Sequence, residues 1–488
     1  MSVALRPSRN IAPLHVSRDQ LRLRFARALS AMYRAEVPPY GVLTQLVEDV
    51  NAHALERDPA LKARLAATDG LQRISEERHG AIRLGTAEEL QGMHRVFAAF
   101  GMEPVGYYDL GPAGVPVHST AFRPIEANAL AISPFRVFTS LLRTEAIGDA
   151  ALRGEAERLL ASRTIFHGRT LDLADRAAAE DGLSQTDADA LVAGAIETFR
   201  FRPQARVSRA LYEALKAEHP LIADVVAFGG PHINHLTPRT LAIDGVQEAM
   251  PERGIAPKAV VEGPPPRRVP ILLRQTSFKA LTEPVTFASD GPEGKAGGHT
   301  ARFGEVEERG AALTPKGRAL YDRLLGAVRA RVTPRPDGSN KAEYEAALRD
   351  GFQAFPDDED ALRREGLAYN RFERVRSSRA TESIGGDGPS GANGMAAAFS
   401  DQASKWIAID RLIEKGKVRA TPIIYEDFLP VSAAGIFQSN LGDRLGEGGE
   451  GSRAAFEAAL GGRVQDEFAL YEAEQRASME RCLRNAAD

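Results

Sequence analysis

Cysteine is almost absent: Cys482 is the only one in 488 residues. That excludes a disulfide framework within the chain and any zinc or iron–sulfur site built on thiolates, and it fits a reducing compartment, so a cytoplasmic protein is expected. Long apolar runs are also missing. No stretch approaches the roughly 18 to 20 apolar residues that cross a bilayer, and the opening MSVALRPSRNIAPLHVSRDQ has no apolar core of the kind a secretory signal carries, so no membrane partner is expected. Nor is there an excess of positive charge: 62 Lys and Arg stand against 66 Asp and Glu, a net of −4. That balance argues against nucleic acid as a partner, because phosphate-driven binding needs a basic surface.

What the chain does have is length and periodicity. It is about three times the roughly 150 residues typical of one domain, enough to bury a large core without staples. From Ser17, SRDQLRLRFARALSAMYR predicts a capped helix with Leu21, Phe25, Leu29 and Met32 on one side. The stretches 41–68 and 141–219 repeat that pattern. A proline-rich loop over 251–269 precedes ILLRQTSFKALTEPVTFA, whose β-branched and aromatic content predicts strands. The runs SSRATESIGGDGPSGANG at 377–394 and GEGGEGS from Gly446 read as loops, the second lacking the Lys-Ser/Thr ending of a phosphate loop.

One internal similarity organises the rest. HGAIRLGTAEELQGMHRVFAAFGMEPVG, from His79, predicts a strand, a helix opened by a capping box from Thr86 to Glu89, and a Gly-Met-Glu-Pro exit. HINHLTPRTLAIDGVQEAMPERGIAPKAVV, from His232, repeats the layout with a Gly-Ile-Ala-Pro exit, and strand-like runs follow each. The expected fold is therefore α+β, a duplicated βαβββ sheet with large helical additions. The expected units are an N-terminal helical segment 1–78, a first module 79–140, a helical insertion 141–224, a second module 225–310, and a C-terminal helical region with pocket wall 311–488.

The chain has ten histidines, and His79 and His235 occupy the leading strand of the two repeats. Residues two and four apart on a strand share a face, so Arg83 projects with His79, and Thr237 with His235. In RFGEVEERG, from Arg302, Glu305 and Glu307 share one face, and a carboxylate turned inward is costly unless paired or metal-bound. Two neutral imidazoles and one carboxylate are the ligand set of non-haem Fe(II) enzymes. This reading alone leaves Glu305 and Glu307 open, with Glu426 or Asp427 next in line. Beside a metal, the Arg83 guanidinium suits a carboxylate gripped through two parallel hydrogen bonds. His232 is expected behind the ligands and His94 in a structural role. The apolar run YEDFLPVSAAGIFQSNLGD from Tyr425 suits a pocket wall.

HGAIR, GPHINHLTPRTLAID, RFGEVEERGAALTPKGRALYD and YEDFLPVSAAGIFQSNL resemble the motifs of the 2-oxoadipate dioxygenase/decarboxylase, or hydroxyglutarate synthase, family of the vicinal oxygen chelate superfamily. The resemblance covers most of the chain. It implies an Fe(II) enzyme of lysine catabolism that takes a small 2-oxo dicarboxylate, 2-oxoadipate, and dioxygen to 2-hydroxyglutarate and carbon dioxide. By motif position it implies His79, His235 and Glu305 as metal ligands, Arg83 as the substrate-gripping and catalytic arginine, and Val431 and Ser432 on the pocket wall. The competing expectation is a glyoxalase-like isomerase or lyase of the same superfamily that uses no dioxygen.

Overall fold

The structure, a computed structural model, describes residues 15–67, 70–288, 294–375, 402–429 and 450–484. The first long helix, Arg18–Glu36, opens at Ser17, whose hydroxyl accepts from the Gln20 amide while the Gln20 side chain reaches back to Ser17 N. Its expected apolar stripe is buried, and Phe25 packs on the rings of Phe100, Phe135 and Phe199. Burying each such side chain stabilises the fold by roughly 1.5–3 kcal/mol.

Seven strands form the central sheet in the order Glu103–Asp109, Val117–Arg123, Arg136–Leu142, Arg78–Leu84, His235–Pro238, Phe303–Arg309, Leu273–Ser277. That order contains one pattern twice. Arg78–Leu84 leads into the helix Ala87–Ala99 and pairs in parallel with the closing strand Arg136–Leu142. His235–Pro238 leads into the helix Ile243–Ala249 and pairs in parallel with Phe303–Arg309. In both copies the closing strand then pairs antiparallel with its outer neighbour. The outermost strand of the first copy, Glu103–Asp109, is reduced in the second to the bridges Pro257–Phe278 and Glu262–Gln275. Proline explains the reduction, because Pro257 and Pro264–Pro266 have no N–H to give a ladder. The two leading strands pair antiparallel at the centre, Ala81 opposite His235 and His79 opposite Thr237. Both exits carry a left-handed glycine, Gly101 at φ +63° and Gly254 at φ +71°, which lets the chain turn off the preceding helix toward the sheet.

The additions differ from expectation in places. The 141–219 stretch is mostly helical but also holds two short strands, Gly182–Ser184 on His15–Ser17 and Gln204–Ser208 in parallel with Thr282–Ala288. Three to five residues are too few to display a period. Thr282–Ala288 forms a hairpin with Lys295–Thr300, inserted between the last two strands of the second copy. The region after 311 contains a further hairpin, Asn370–Arg374 with Val418–Pro422. The Thr86 cap is made, but Glu89 accepts from Gly85 N and pairs with Arg163 rather than closing a capping box. Residues 377–394 and the first four of GEGGEGS lie outside the described residues, and the end of that run opens the helix Glu450–Leu460. Among the described residues no helix is long and apolar enough to cross a membrane.

Candidate metal centre

His79 is the second residue of its strand, His235 the first and Glu305 the third, and the three strands are neighbours at the centre of the sheet. All three side chains are fully buried. The two imidazoles stand edge to face, centroids 5.6 Å apart. Glu305 Oε2 lies 3.1 Å from His79 Nε2 and 3.6 Å from His235 Nε2. One coordinating atom from each residue falls within 4.8 Å of the others.

The hydrogen bonds around this cluster are incomplete. Thr237 Oγ1 at 3.0 Å and Gln275 Nε2 at 3.3 Å both donate to Glu305 Oε2, leaving Glu305 Oε1 with no hydrogen-bond partner among the described residues. Among the described residues neither ring nitrogen of His235 finds a hydrogen-bond partner. A buried polar atom without a partner costs about 1–3 kcal/mol, and a single ion would take one His235 nitrogen together with a Glu305 oxygen. Two imidazole nitrogens and a carboxylate oxygen are the donors a divalent first-row metal takes, and the residues fit such an ion. Burial, with His79 and Arg83 nearby, holds His235 well below the ordinary histidine range and so in the neutral form that ligates. Burial also raises the Glu305 carboxyl, against the pull of His79.

Of the two glutamates on one face, Glu305 joins the cluster and Glu307 does not. Glu307 Oε2 lies 3.0 Å from His79 Nδ1, the ring's other edge, and Arg309 donates to its two oxygens at 2.7 and 3.0 Å. Burial would raise Glu307, but Arg309 and then His79 bring it down to about 2. For His79, burial pulls down and is outweighed by Glu307 and Glu305, so its pKa lies above the usual value. A carboxylate on the far nitrogen fixes ring orientation and tautomer. Glu426 and Asp427, the next acids in line, belong instead to guanidiniums: Glu426 pairs with Arg73 and Arg136, and Asp427 with Arg123 at 2.6 and 3.0 Å. Phe428 closes one side, its ring 4.9 Å from that of His79. Val431 and Ser432 lie outside the described residues.

Arg83, four residues along the His79 strand, donates from Nη1 to Asp224 Oδ2 at 2.6 Å. His232 touches Asp224 and Asn234 rather than the cluster, its Nε2 3.2 Å from Asp224 Oδ1. His94 lies on the helix Ala87–Ala99 with Nδ1 3.4 Å from Leu460 O. Sequence reading missed Asp224 and His299. Asp224 carried a signal, being the one charge in the otherwise apolar helix PLIADVVA, whereas His299 sits in a six-residue edge strand with no period to read.

A duplicated βαβββ sheet whose central strands bring two imidazoles and a carboxylate into one buried cluster is of the vicinal oxygen chelate type. The sequence model described as 2-oxoadipate dioxygenase/decarboxylase matches residues 25–440. The chain is 52% identical over 471 residues to the 2-oxoadipate dioxygenase/decarboxylase of Pseudomonas putida, covering 96% of this chain and 97% of that one. With the protein of the same name from Escherichia coli K12 it is 50% identical, covering 96% and 98%. The crystal structure of hydroxyglutarate synthase in complex with 2-oxoadipate from Pseudomonas putida superimposes with a TM-score of 0.84 at 49% identity, covering 96% of this chain and 99% of that chain. The chain therefore belongs to the 2-oxoadipate dioxygenase/decarboxylase family and is an enzyme of that family.

Proposed function

We propose that this enzyme is an Fe(II)-dependent dioxygenase that converts 2-oxoadipate and O2 to 2-hydroxyglutarate and CO2, a step of lysine catabolism in the cytoplasm. The observation that carries the reading is the convergence of His79, His235 and Glu305 with coordinating atoms left unpaired. Identity near 50% with relatives named for this reaction, and the likeness to the Pseudomonas putida hydroxyglutarate synthase in complex with 2-oxoadipate, support it.

His79, His235 and Glu305 would hold the metal. When bound, ferrous iron supplies the electrons through which dioxygen reacts with a chelated 2-oxo acid, chemistry no protein side chain provides. The protein's part is placement. Thr237 and Gln275 hold Glu305 Oε2 beside the two imidazoles, and Glu307, clamped by Arg309, lies against the far edge of the His79 ring. Phe428 and Phe303 flank the imidazoles and exclude water from the reacting carbon. Arg83, on the same strand face as His79, grips the distal carboxylate and keeps the five-carbon product in reach as it forms. The balance is closed: the six-carbon 2-oxo diacid and O2 contain every atom of 2-hydroxyglutarate and CO2.

Anaerobic reconstitution with Fe(II), followed by oxygen uptake on adding 2-oxoadipate, tests the reading. One O2 consumed and one CO2 released per 2-hydroxyglutarate is expected. Full turnover without O2 would favour the isomerase or lyase reading instead.

A further inference from the structure

Arg83 is held by more machinery than charge neutralisation needs. Its partner Asp224 is buried, with Oδ2 accepting from Arg83 at 2.6 Å and from Asn234 Nδ2 at 3.3 Å. The other oxygen, Oδ1, meets His299 Nε2 at 2.8 Å and His232 Nε2 at 3.2 Å. His299 is itself fixed from behind, its Nδ1 2.9 Å from the Tyr212 hydroxyl. Asp224, His299 and Tyr212 lie on the helix Pro220–Ala227, the hairpin strand Lys295–Thr300 and the helix Arg209–Glu218, and His232 lies in the turn before the His235 strand. None of these four residues belongs to the seven-stranded sheet that carries the metal cluster. The additions to the duplicated sheet thus converge on one guanidinium.

We propose that Asp224, backed by His232 and His299, is a positioning residue that sets where the Arg83 guanidinium stops, and through it the length of 2-oxo diacid the enzyme accepts. This rests on the reading of Arg83 as the grip on the distal carboxylate. Along an extended strand, Arg83 starts about 13 Å from His79 at the usual rise of ~3.3 Å per residue, farther than a six-carbon diacid chelated at the cluster can reach. The guanidinium must therefore lean back toward the metal, and the point at which it is pinned fixes the distance between grip and chelate. An arginine left to itself would lose rotamer entropy on binding substrate, and Asp224 removes that loss in advance. The cluster shares its composition with the metal centre, and its coordinating atoms also fall within 4.8 Å. It is not a second metal site, because a guanidinium stands 2.6 Å from the carboxylate and both Asp224 oxygens and both His299 nitrogens already have partners.

The test uses the full-length, iron-loaded enzyme with 2-oxoadipate and with 2-oxo diacids one carbon shorter and one longer. For Asp224→Asn the KM for 2-oxoadipate should rise about 10- to 100-fold, the range of a charge-assisted hydrogen bond, with a smaller change in kcat and unchanged iron content. The preference for the six-carbon acid over its neighbours should fall by a comparable factor. His299→Gln, which keeps an N–H toward Asp224, should retain KM and preference, whereas His299→Leu should move both in the direction of Asp224→Asn; this pair decides the matter if Asp224→Asn does not fold. Equal losses on all three acids would mean a purely structural role and overturn the proposal. So would a second equivalent of bound metal in the parent enzyme that Asp224→Asn loses. Arg83→Lys, measured alongside, separates the levels. If it raises KM while the Asp224 and His299 variants leave KM and preference alone, positioning alone fails; if Arg83→Lys itself leaves KM unchanged, the grip reading fails and this inference with it.

Discussion

Two buried clusters in this molecule are each made of two histidines and one carboxylate, yet they differ in what their atoms lack. In His79, His235 and Glu305, both nitrogens of His235 and one oxygen of Glu305 have no hydrogen-bond partner among the described residues. In Asp224, His232 and His299 the carboxylate is saturated, His299 is bonded on both sides and an arginine occupies the place a cation would take, while His232 Nδ1 has no hydrogen-bond partner among the described residues. Residue types therefore do not define a metal site. An unpaired carboxylate oxygen beside unpaired imidazole nitrogens marks the better candidate, because a low-dielectric interior penalises each such atom and a bound ion would relieve that oxygen and one nitrogen of the ring.

The sharpest way to break this comparison is to remove one histidine from each cluster. His235→Ala should lose metal and turnover outright, while His232→Ala should keep its full metal content by elemental analysis. Equal loss in both would make the two clusters equivalent and sink the distinction. Next in size is Arg83→Lys, which keeps the charge but not the fork geometry. A drop in kcat/KM of roughly 10- to 100-fold at unchanged metal content is expected from the hydrogen bond it forfeits.

The third prediction sharpens the boundary of the metal cluster itself. Glu305→Gln replaces an anionic donor and should strip the metal. Glu307→Gln alters only the support behind His79 and should weaken binding by about 10- to 100-fold, the usual range for an outer partner. Anaerobic Fe(II) titration of the two variants ranks them, and the reverse ranking would exchange their roles.

The smallest effect contrasts that cluster with the arginine–carboxylate network around Glu426. Burial would raise Glu426, but Arg73 and Arg136 bring it from 4.5 down to about 2. A carboxylate depressed in the folded state adds stability above its unfolded pKa, and that stability drains away as pH falls from about 4.5 toward 2. Glu426→Gln should therefore melt below the parent at neutral pH, with a gap that narrows on titration from pH 5 to pH 3. A constant gap would show that Glu426 does not titrate below the ordinary range.

The βαβββ repeat was visible because it rests on local devices: helix periods, the Thr86 cap and the two Gly-x-x-Pro exits. The weak outer strand of the second copy was partly visible too, in its prolines. The short strands at 182–184 and 204–208 were not, since each is held by a partner far along the chain rather than by its own pattern. Within the site, His79, His235 and Arg83 could be picked out from their place in the repeats. Glu305 and Glu307 could not be separated by local pattern, because alternation puts both on one face.

Chemical types and their faces were legible from residue order alone: which strands carry imidazoles, which carries the glutamates, and that Arg83 rides with His79. Those follow from backbone periods of 2 and 3.6, which act between near neighbours. Which of those atoms find partners is settled by packing. The Glu307 carboxylate is claimed by Arg309 and His79, and Asp224 is claimed by Arg83 and two imidazoles from separate elements, one of them 75 residues away in the chain. Satisfaction of a buried polar atom depends on every group within about 3 Å of it, and those groups are assembled by packing, not by position in the sequence.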